Sequence, residues 1–420
     1  MRIAVFVESP PTSVGPFNQS MSTVEALALG PAKLDVVVFT HIDATYRALS
    51  GRGMNVVRFA HRGHRLLDRW SATQFGHAVL SRIRRLGAKR LGRHLDALLE
   101  DHAIDVAFFN NLESDVVARI GDHPFLISVW DLDQRDYPEF PEAFRDRGFE
   151  RVTRSHAITL TRALAVIVNS SSMARRLHQL YQVDLHRIVV LPFLPSSAVT
   201  RHKAGRATAT AESVSIKYDL PPRFAFFPAY LTHHKNGLYL LEALVDLERR
   251  HNIALDAVFC GSGEEDALKL LNRQAKALGL EDRVRLLGLL PDGDVPALYE
   301  AALAAVVPSY FGPINLPPLE AMVLGCPVIC SDFEACHEQM EDAALYCDLK
   351  NPSTLADHLA ALNGDSQLRD RLGQASGRLA AKLAEVDYST RLAQVLNDFD
   401  YMRRRWSWPP ESDLAGQRYR

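Results

Sequence analysis

Glu320, Lys235 and the backbone amides of Asn315 and Leu316 are the groups in this chain whose types and spacing could do chemistry. Asn315 and Leu316 stand where a helix is predicted to begin. A helix N-terminus carries free N–H groups and a partial positive charge, so it suits a phosphate. Glu320 is expected within the first turn, on the same rim, where a carboxylate can accept from both hydroxyls of a ribose. Charge-assisted bonds of this kind contribute about 1.5–3 kcal/mol each. Diphosphate and ribose together point to a nucleotide. The plain alternative is an ordinary strand–loop–helix in which Glu320 merely favours a helix N-terminus. Lys235 lies just before a predicted helix that starts at Gly237. The dipole disfavours a cation there, so its presence points to an anion; an exposed surface lysine is the alternative.

The elements that must position these groups follow from the surrounding pattern. Ala304 to Val307 is an apolar run short enough for a buried parallel strand. A turn-rich loop with Gly312, Pro313, Asn315 and Pro317 follows. Then comes a helix-compatible segment, Pro318 to Leu324, that Gly325 ends, and a strand from Val328 to Cys330. Further strands are predicted at Ile3–Val7, Leu34–Phe39, Val56–Phe59, Val106–Asn110, Phe125–Val129, Ala163–Val168 and Ile188–Leu191. In the second half they fall at Phe224–Phe227, Leu255–Cys260 and Val284–Leu287. Helical stretches alternate with them, the layout of doubly wound parallel sheets. None of the first-half strands is followed by GxGxxG, which lowers the case for a dinucleotide-binding dehydrogenase.

Several groups sit just after these strands, where an α/β cleft opens. Gly261 and Gly263 allow close backbone approach by a ligand, or form a simple tight turn. Trp130 could stack on a sugar face but cannot act as an acid or base. Asp131–Asp133 spells a DxD, too short a signal to assign a metal, and no metal site is expected. Tyr137 and its neighbours continue into a loop that could cover an acceptor.

Composition sets the outer bounds. The 420 residues suggest two or three domains, and 48 Lys and Arg against 50 Asp and Glu argue against a nucleic-acid binder. The five cysteines lack CxxC spacing and are expected to be free, buried thiols in a reducing cytoplasm. The apolar run at the N-terminus is too short for a signal peptide, and no run has membrane-spanning length. Between Arg58 and Arg93 ten Lys and Arg face the single acid Asp68, with apolar residues at helical spacing. That is either a solvated charged face or a patch for anionic lipid.

The stretch from Leu316 to Ile329 resembles the donor-site signature of the retaining glycosyltransferases of family 4, which have the GT-B fold. The signature reads E-G-F-G-L-P-x-L-E-A-M-A-x-G-x-P-V-I. Leu316, Pro317, Leu319, Glu320, Ala321, Met322, Gly325, Pro327, Val328 and Ile329 match it. Gly312 replaces its first Glu, which in the family faces the transferred sugar. The resemblance implies two Rossmann-like domains facing across a cleft. On that plan residues 1–195 would be the acceptor domain, 223–385 the nucleotide-sugar domain and 386–420 a last helix crossing back, and the stretch 196–222, polar and rich in Ala, Thr and Ser, is expected to be a linker. The resemblance makes Lys235 the diphosphate ligand. Tyr230 stands where the family has an Arg, and His233 or His234 is the candidate substitute. Trp130 replaces a family His while Asp131 is kept, and Gly15 falls in a loop that approaches sugar and phosphate. The implied activity moves a hexose, with retention and without metal or other cofactor, from a GDP-mannose or UDP-hexose type donor. The implied acceptor is a saccharide or lipid-linked molecule in bacterial surface polysaccharide or glycolipid synthesis, at the inner face of the plasma membrane. A non-catalytic nucleotide-binding partner and a GT-B epimerase or phosphorylase are the alternatives.

Overall fold

Alternate residues of β1 (Arg2–Phe6) go to opposite sides: Ile3 and Val5 into one apolar cluster, Ala4 and Phe6 into another. A strand covered on both faces has no solvated side, which is why it reads as an unbroken apolar run. The computed structural model describes residues 1–59, 94–111, 116–117, 120–132, 135, 137–141, 148–206, 209–312 and 315–406. Within them β1 is joined by β2 (Asp35–Thr40), β3 (Val56–Arg58), β4 (Val106–Phe109), β5 (Phe125–Val129), β6 (Ala165–Val168) and β7 (Ile188–Val190). The sheet order is β3-β2-β1-β4-β5-β6-β7, all parallel.

The second domain repeats the plan. Its strands are β8 (Phe224–Pro228), β9 (Asp256–Cys260), β10 (Val284–Leu286), β11 (Ala304–Val307), β12 (Val328–Ser331) and β13 (Ala344–Cys347), in the order β10-β9-β8-β11-β12-β13, again all parallel. Phe224 and Phe226 face one core cluster, Ala225 and Phe227 the other. The predicted doubly wound α/β architecture is the observed one.

Three local differences have physical causes. The first helix, Val14–Leu29, starts seven residues before the expected Met21. Pro16 interrupts the pattern in the sequence, yet a proline in a first turn removes no hydrogen bond. Residues 196–222 carry two short helices, Ser197–Lys203 and Ala211–Lys217, and Val199 and Val214 are buried in a second-domain cluster. β13 was not anticipated, because four residues at a sheet edge leave too little pattern to read. All five cysteines are free and buried, and burial pushes the thiols of Cys260, Cys326 and Cys347 up to about 12. The basic stretch lies almost wholly outside the described residues. Its first residue, Arg58, pairs with Asp43 at 2.6 Å; just beyond its other end, Leu95 and Leu99 are buried in the first-domain core. Among the described residues no helix is long and apolar enough to cross a membrane.

Candidate functional site

Parallel strands all point one way, so the loops after their carboxyl ends gather on one edge of each sheet. The loop after β8 supplies Tyr230 to Lys235, that after β9 Gly261 to Gly263, and that after β11 Gly312 and Asn315. Lys235 closes a single 3-10 turn, His233–Lys235, and its Nζ donates to Asn315 Oδ1 at 3.1 Å. Asn315 Nδ2 donates to the Gly312 carbonyl at 2.9 Å. Gln339 brackets the same residue: it accepts from the Asn315 amide at 3.3 Å and donates to the Asn315 carbonyl at 2.8 Å. The Asn315 amide, expected to be open to a phosphate, is therefore already engaged. Leu316 is the first residue of the helix Leu316–Leu324, where an open amide is expected.

That helix begins two residues earlier than the sequence suggested, with Pro317 and Pro318 in its first turn. Glu320 accordingly sits in the second turn, and the helix has no acid in its first. Its residue keeps some exposed surface, but its carboxyl is enclosed. The hydroxyl and amide of Ser196 donate to it, and Tyr299 Oη donates to Oε2 at 3.3 Å. Burial raises its pKa above the ordinary 4.5, more than the bonds from Ser196 and Tyr299 lower it. Glu320, expected as a ribose ligand in the first turn, thus lies in the second and is bonded to protein donors. Ser196, Tyr299 and Gln339 carry no sequence signal of their own, because each acts through a contact far along the chain.

The glycines after β9 have a reason inside the protein. Gly261 has φ +134°, and a Cβ there would stand 2.3 Å from the Ala229 carbonyl oxygen. A Cβ on Gly263 would meet the Leu231 Cβ at 2.6 Å, and Leu231 and Gly263 form a parallel bridge. The two glycines let the Ala229–Leu231 backbone pass. Tyr230 at the missing-Arg position is half exposed. His233 lies with Glu264 and Asp266, their donor atoms within 4.8 Å of one another, a grouping the sequence did not reveal.

Across the cleft, Gly15 lies in the first turn of its helix, with open space around a would-be Cβ. Trp130 follows β5, its carbonyl accepting from Asn169 Nδ2 at 2.9 Å and its ring standing edge-on to Phe193 at 6.1 Å. The ring packs against the second-domain cluster, so its stacking surface is partly used within the protein. Asp131 comes next at the same strand end, partly exposed; Asp133 lies outside the described residues. Tyr137 reaches Phe311 at 5.4 Å, and Phe140 reaches Tyr310 at 5.2 Å and Phe311 at 5.5 Å. His234 stacks on Phe311 at 4.0 Å. This aromatic seam joins the loop after β5 to the loop after β11.

A second set of contacts also crosses between the domains. Glu338 accepts from the amides of Ser171 and Ser172 at 2.5 and 2.9 Å, capping the first-domain helix Ser171–Tyr181. Arg175 on that helix pairs with Glu334 at 2.5 Å. Burial opposes charge on Glu338, but the Ser172 and Ser171 amides outweigh it and hold the carboxyl below its ordinary value.

Residues 210–378 match the family model described as "Glycosyl transferases group 1". O-antigen chain mannosyltransferase B of Escherichia coli is 28% identical over 62% of this chain and 66% of its own length. D-inositol 3-phosphate glycosyltransferase of Corynebacterium glutamicum is 27% identical over 63% of each chain. The matched region thus spans less than two thirds of these relatives' lengths. Among solved structures, Anabaena HepE in complex with UDP superposes with a TM-score of 0.64 at 16% identity, over 95% of this chain and 100% of that one. Two parallel-sheet domains with such neighbours constitute the GT-B fold.

Proposed function

We propose that this chain, with its GT-B fold and a glycosyl transferases group 1 match over its second domain, is a retaining hexosyltransferase of family 4. The observation that carries the reading is the meeting of Lys235 with Asn315 beside the helix that bears Glu320. Lys235 and the Leu316 amide stabilise the charge that grows on the leaving diphosphate, and Glu320 accepts from the ribose hydroxyls once Ser196 and Tyr299 release its carboxylate. His233 and the Gly261–Gly263 backbone line the donor side; Gly15, Trp130, Asp131 and Tyr137 line the acceptor side. The donor is a GDP-mannose or UDP-hexose type nucleotide sugar, and no metal or other cofactor takes part. The mannosyltransferase relative and the UDP complex of HepE support that donor class.

The acceptor is a saccharide or lipid-linked molecule of surface polysaccharide or glycolipid synthesis, met at the cytoplasmic face of the membrane through the basic stretch from Arg58 to Arg93. Gly312 favours a second reading, a nucleotide-binding partner without turnover. Incubation with UDP-glucose, UDP-galactose and GDP-mannose decides between them: slow release of free sugar, with its anomeric configuration retained and undiminished by EDTA, is expected of the transferase. Release of none of these sugars, despite tight nucleotide binding, identifies the silent partner. Liposome flotation tests the membrane claim separately. The chain should float with anionic vesicles at low salt and not at high salt. No flotation at low salt removes the membrane role alone.

A further inference from the structure

The chain crosses from the first domain to the second within a few residues. Leu191 and Leu194 pack into the first-domain cluster of Ile3 and Val5, and Val199 is buried with Phe224 and Phe226 in the second domain. Between them lies the peptide group that joins Pro195 to Ser196. Its carbonyl oxygen accepts from Ser22 Oγ at 3.0 Å, on the first-domain helix Val14–Leu29. Its N–H donates to the carboxyl of Glu320 in the second domain. The peptide is trans and planar, so its C=O and N–H point opposite ways. One rigid unit is therefore held by a different domain on each side. The Ser196 hydroxyl adds to the second tie: it donates to Glu320 and accepts from the Val199 amide at 3.5 Å, capping the helix Ser197–Lys203. Ser22 and Ser196 are both buried, where polar groups keep to fixed partners.

We propose that Ser22 and Ser196 are positioning residues of Glu320, which hold its carboxylate through the Pro195–Ser196 peptide so that hinge and nucleotide compete for one acceptor. A ribose that takes Glu320 displaces the two Ser196 donors. The peptide, released on that side, then turns and leaves Ser22 as well. Loosening the hinge peptide therefore favours the nucleotide, and by linkage the nucleotide loosens the hinge peptide. The inference rests on the reading of Glu320 as the ribose ligand.

Calorimetric titration of the full chain with UDP and GDP tests it. Ser196→Ala is expected to bind nucleotide about tenfold more tightly than the native chain, the worth of one hydrogen bond to a charged acceptor. Ser22→Ala is expected to bind about threefold more tightly, the worth of a neutral one. Ser22→Ala leaves the cap of Ser197–Lys203 intact, so it carries the test where Ser196→Ala fails to fold. In a Glu320→Ala background neither substitution changes affinity, because the shared acceptor is gone. Hydrogen exchange of the Ser196 amide reads the reverse effect: saturating nucleotide should speed it, whereas a bound ligand that only rigidifies the chain would slow it. A native affinity in a folded Ser22→Ala or Ser196→Ala variant overturns the proposal. So does a gain that persists without Glu320, or exchange at Ser196 that nucleotide leaves unchanged or slows. In each of these cases the donor-site reading stands as long as Glu320→Ala binds nucleotide weakly. A native chain that binds neither diphosphate, or a folded Glu320→Ala variant of native affinity, overturns that reading along with the proposal.

Discussion

Glu320 carries the clearest single-residue consequence. Glu320→Ala removes the acceptor for two ribose hydroxyls and is expected to weaken nucleotide binding by roughly 2–4 kcal/mol. The fold should survive but lose stability, because the buried donors Ser196 and Tyr299 lose their shared acceptor at about 1–3 kcal/mol each. Unchanged nucleotide affinity in a folded variant would refute the ribose role. The pH dependence has a fixed sign. Burial raises the Glu320 pKa above 4.5, and the ionised form is the one that accepts from the ribose. Nucleotide affinity should therefore fall as pH drops through the raised value, and the Glu320→Ala variant should lack that step; equal pH profiles for the two proteins would contradict it. At this scale the sequence was partly legible. Glu320, Lys235 and the Asn315 amide stood out as candidates by residue type and spacing; the chain brings Lys235 and Asn315 together across 80 positions, but through the Asn315 side chain. Gln339 and Ser196 were not legible, because a contact between distant residues leaves no local pattern. The two glycines after β9 were legible as special, but their nearest neighbours are Ala229 and Leu231.

Among the elements, the helix Ser171–Tyr181 has its N-terminus capped from the other domain. Ser170 caps it locally through the Met173 amide, while Glu338 takes the amides of Ser171 and Ser172. A carboxylate suits that end of a helix, and each bond is worth about 1 kcal/mol once water competes for it. Glu338 is held below its ordinary 4.5, so its contribution is present above that pH and lost as pH falls through the lowered value. Small-angle scattering at pH 7 should find Glu338→Gln more extended than the native chain. The native chain should stay closed down to below pH 4.5 and open only then. Superposable curves at pH 7 would show that this contact does not hold the domains together. Strands were the most legible elements, because buried parallel strands are bare apolar runs such as Ala165–Val168. Boundaries were less legible where proline intervened, as at Pro16 and Pro317. The segment from 196 to 222 read as a linker because its composition is polar, although Val199 and Val214 are enough to seat two helices.

At the scale of the molecule, alternation of strands and helices was sufficient to read two doubly wound sheets from the sequence. How the sheets face each other was not readable, since it depends on contacts such as Tyr137 with Phe311 and Arg175 with Glu334. The helix Tyr388–Trp406, which follows the second domain, packs back on the first. Tyr388, Leu392, Leu396 and Phe399 pack into the same cluster as Ile3, Val5 and Phe108, and Arg403 pairs with Asp105 at 3.1 Å. The first of the two domains is therefore completed only after the second has been made. The helix Val14–Leu29 covers part of the same sheet face with Phe17, Met21, Val24 and Leu27, but from the emergence of β7 to that of Phe399 the rest of that face waits, for roughly 10–40 s at synthesis rates of about 5–20 residues per second. Apolar surface left open for that long is a ready target for chaperones. A nascent chain stalled short of residue 388 should hold a chaperone that one stalled well past residue 406 releases; equal occupancy on both would show that the helix is not the missing cover.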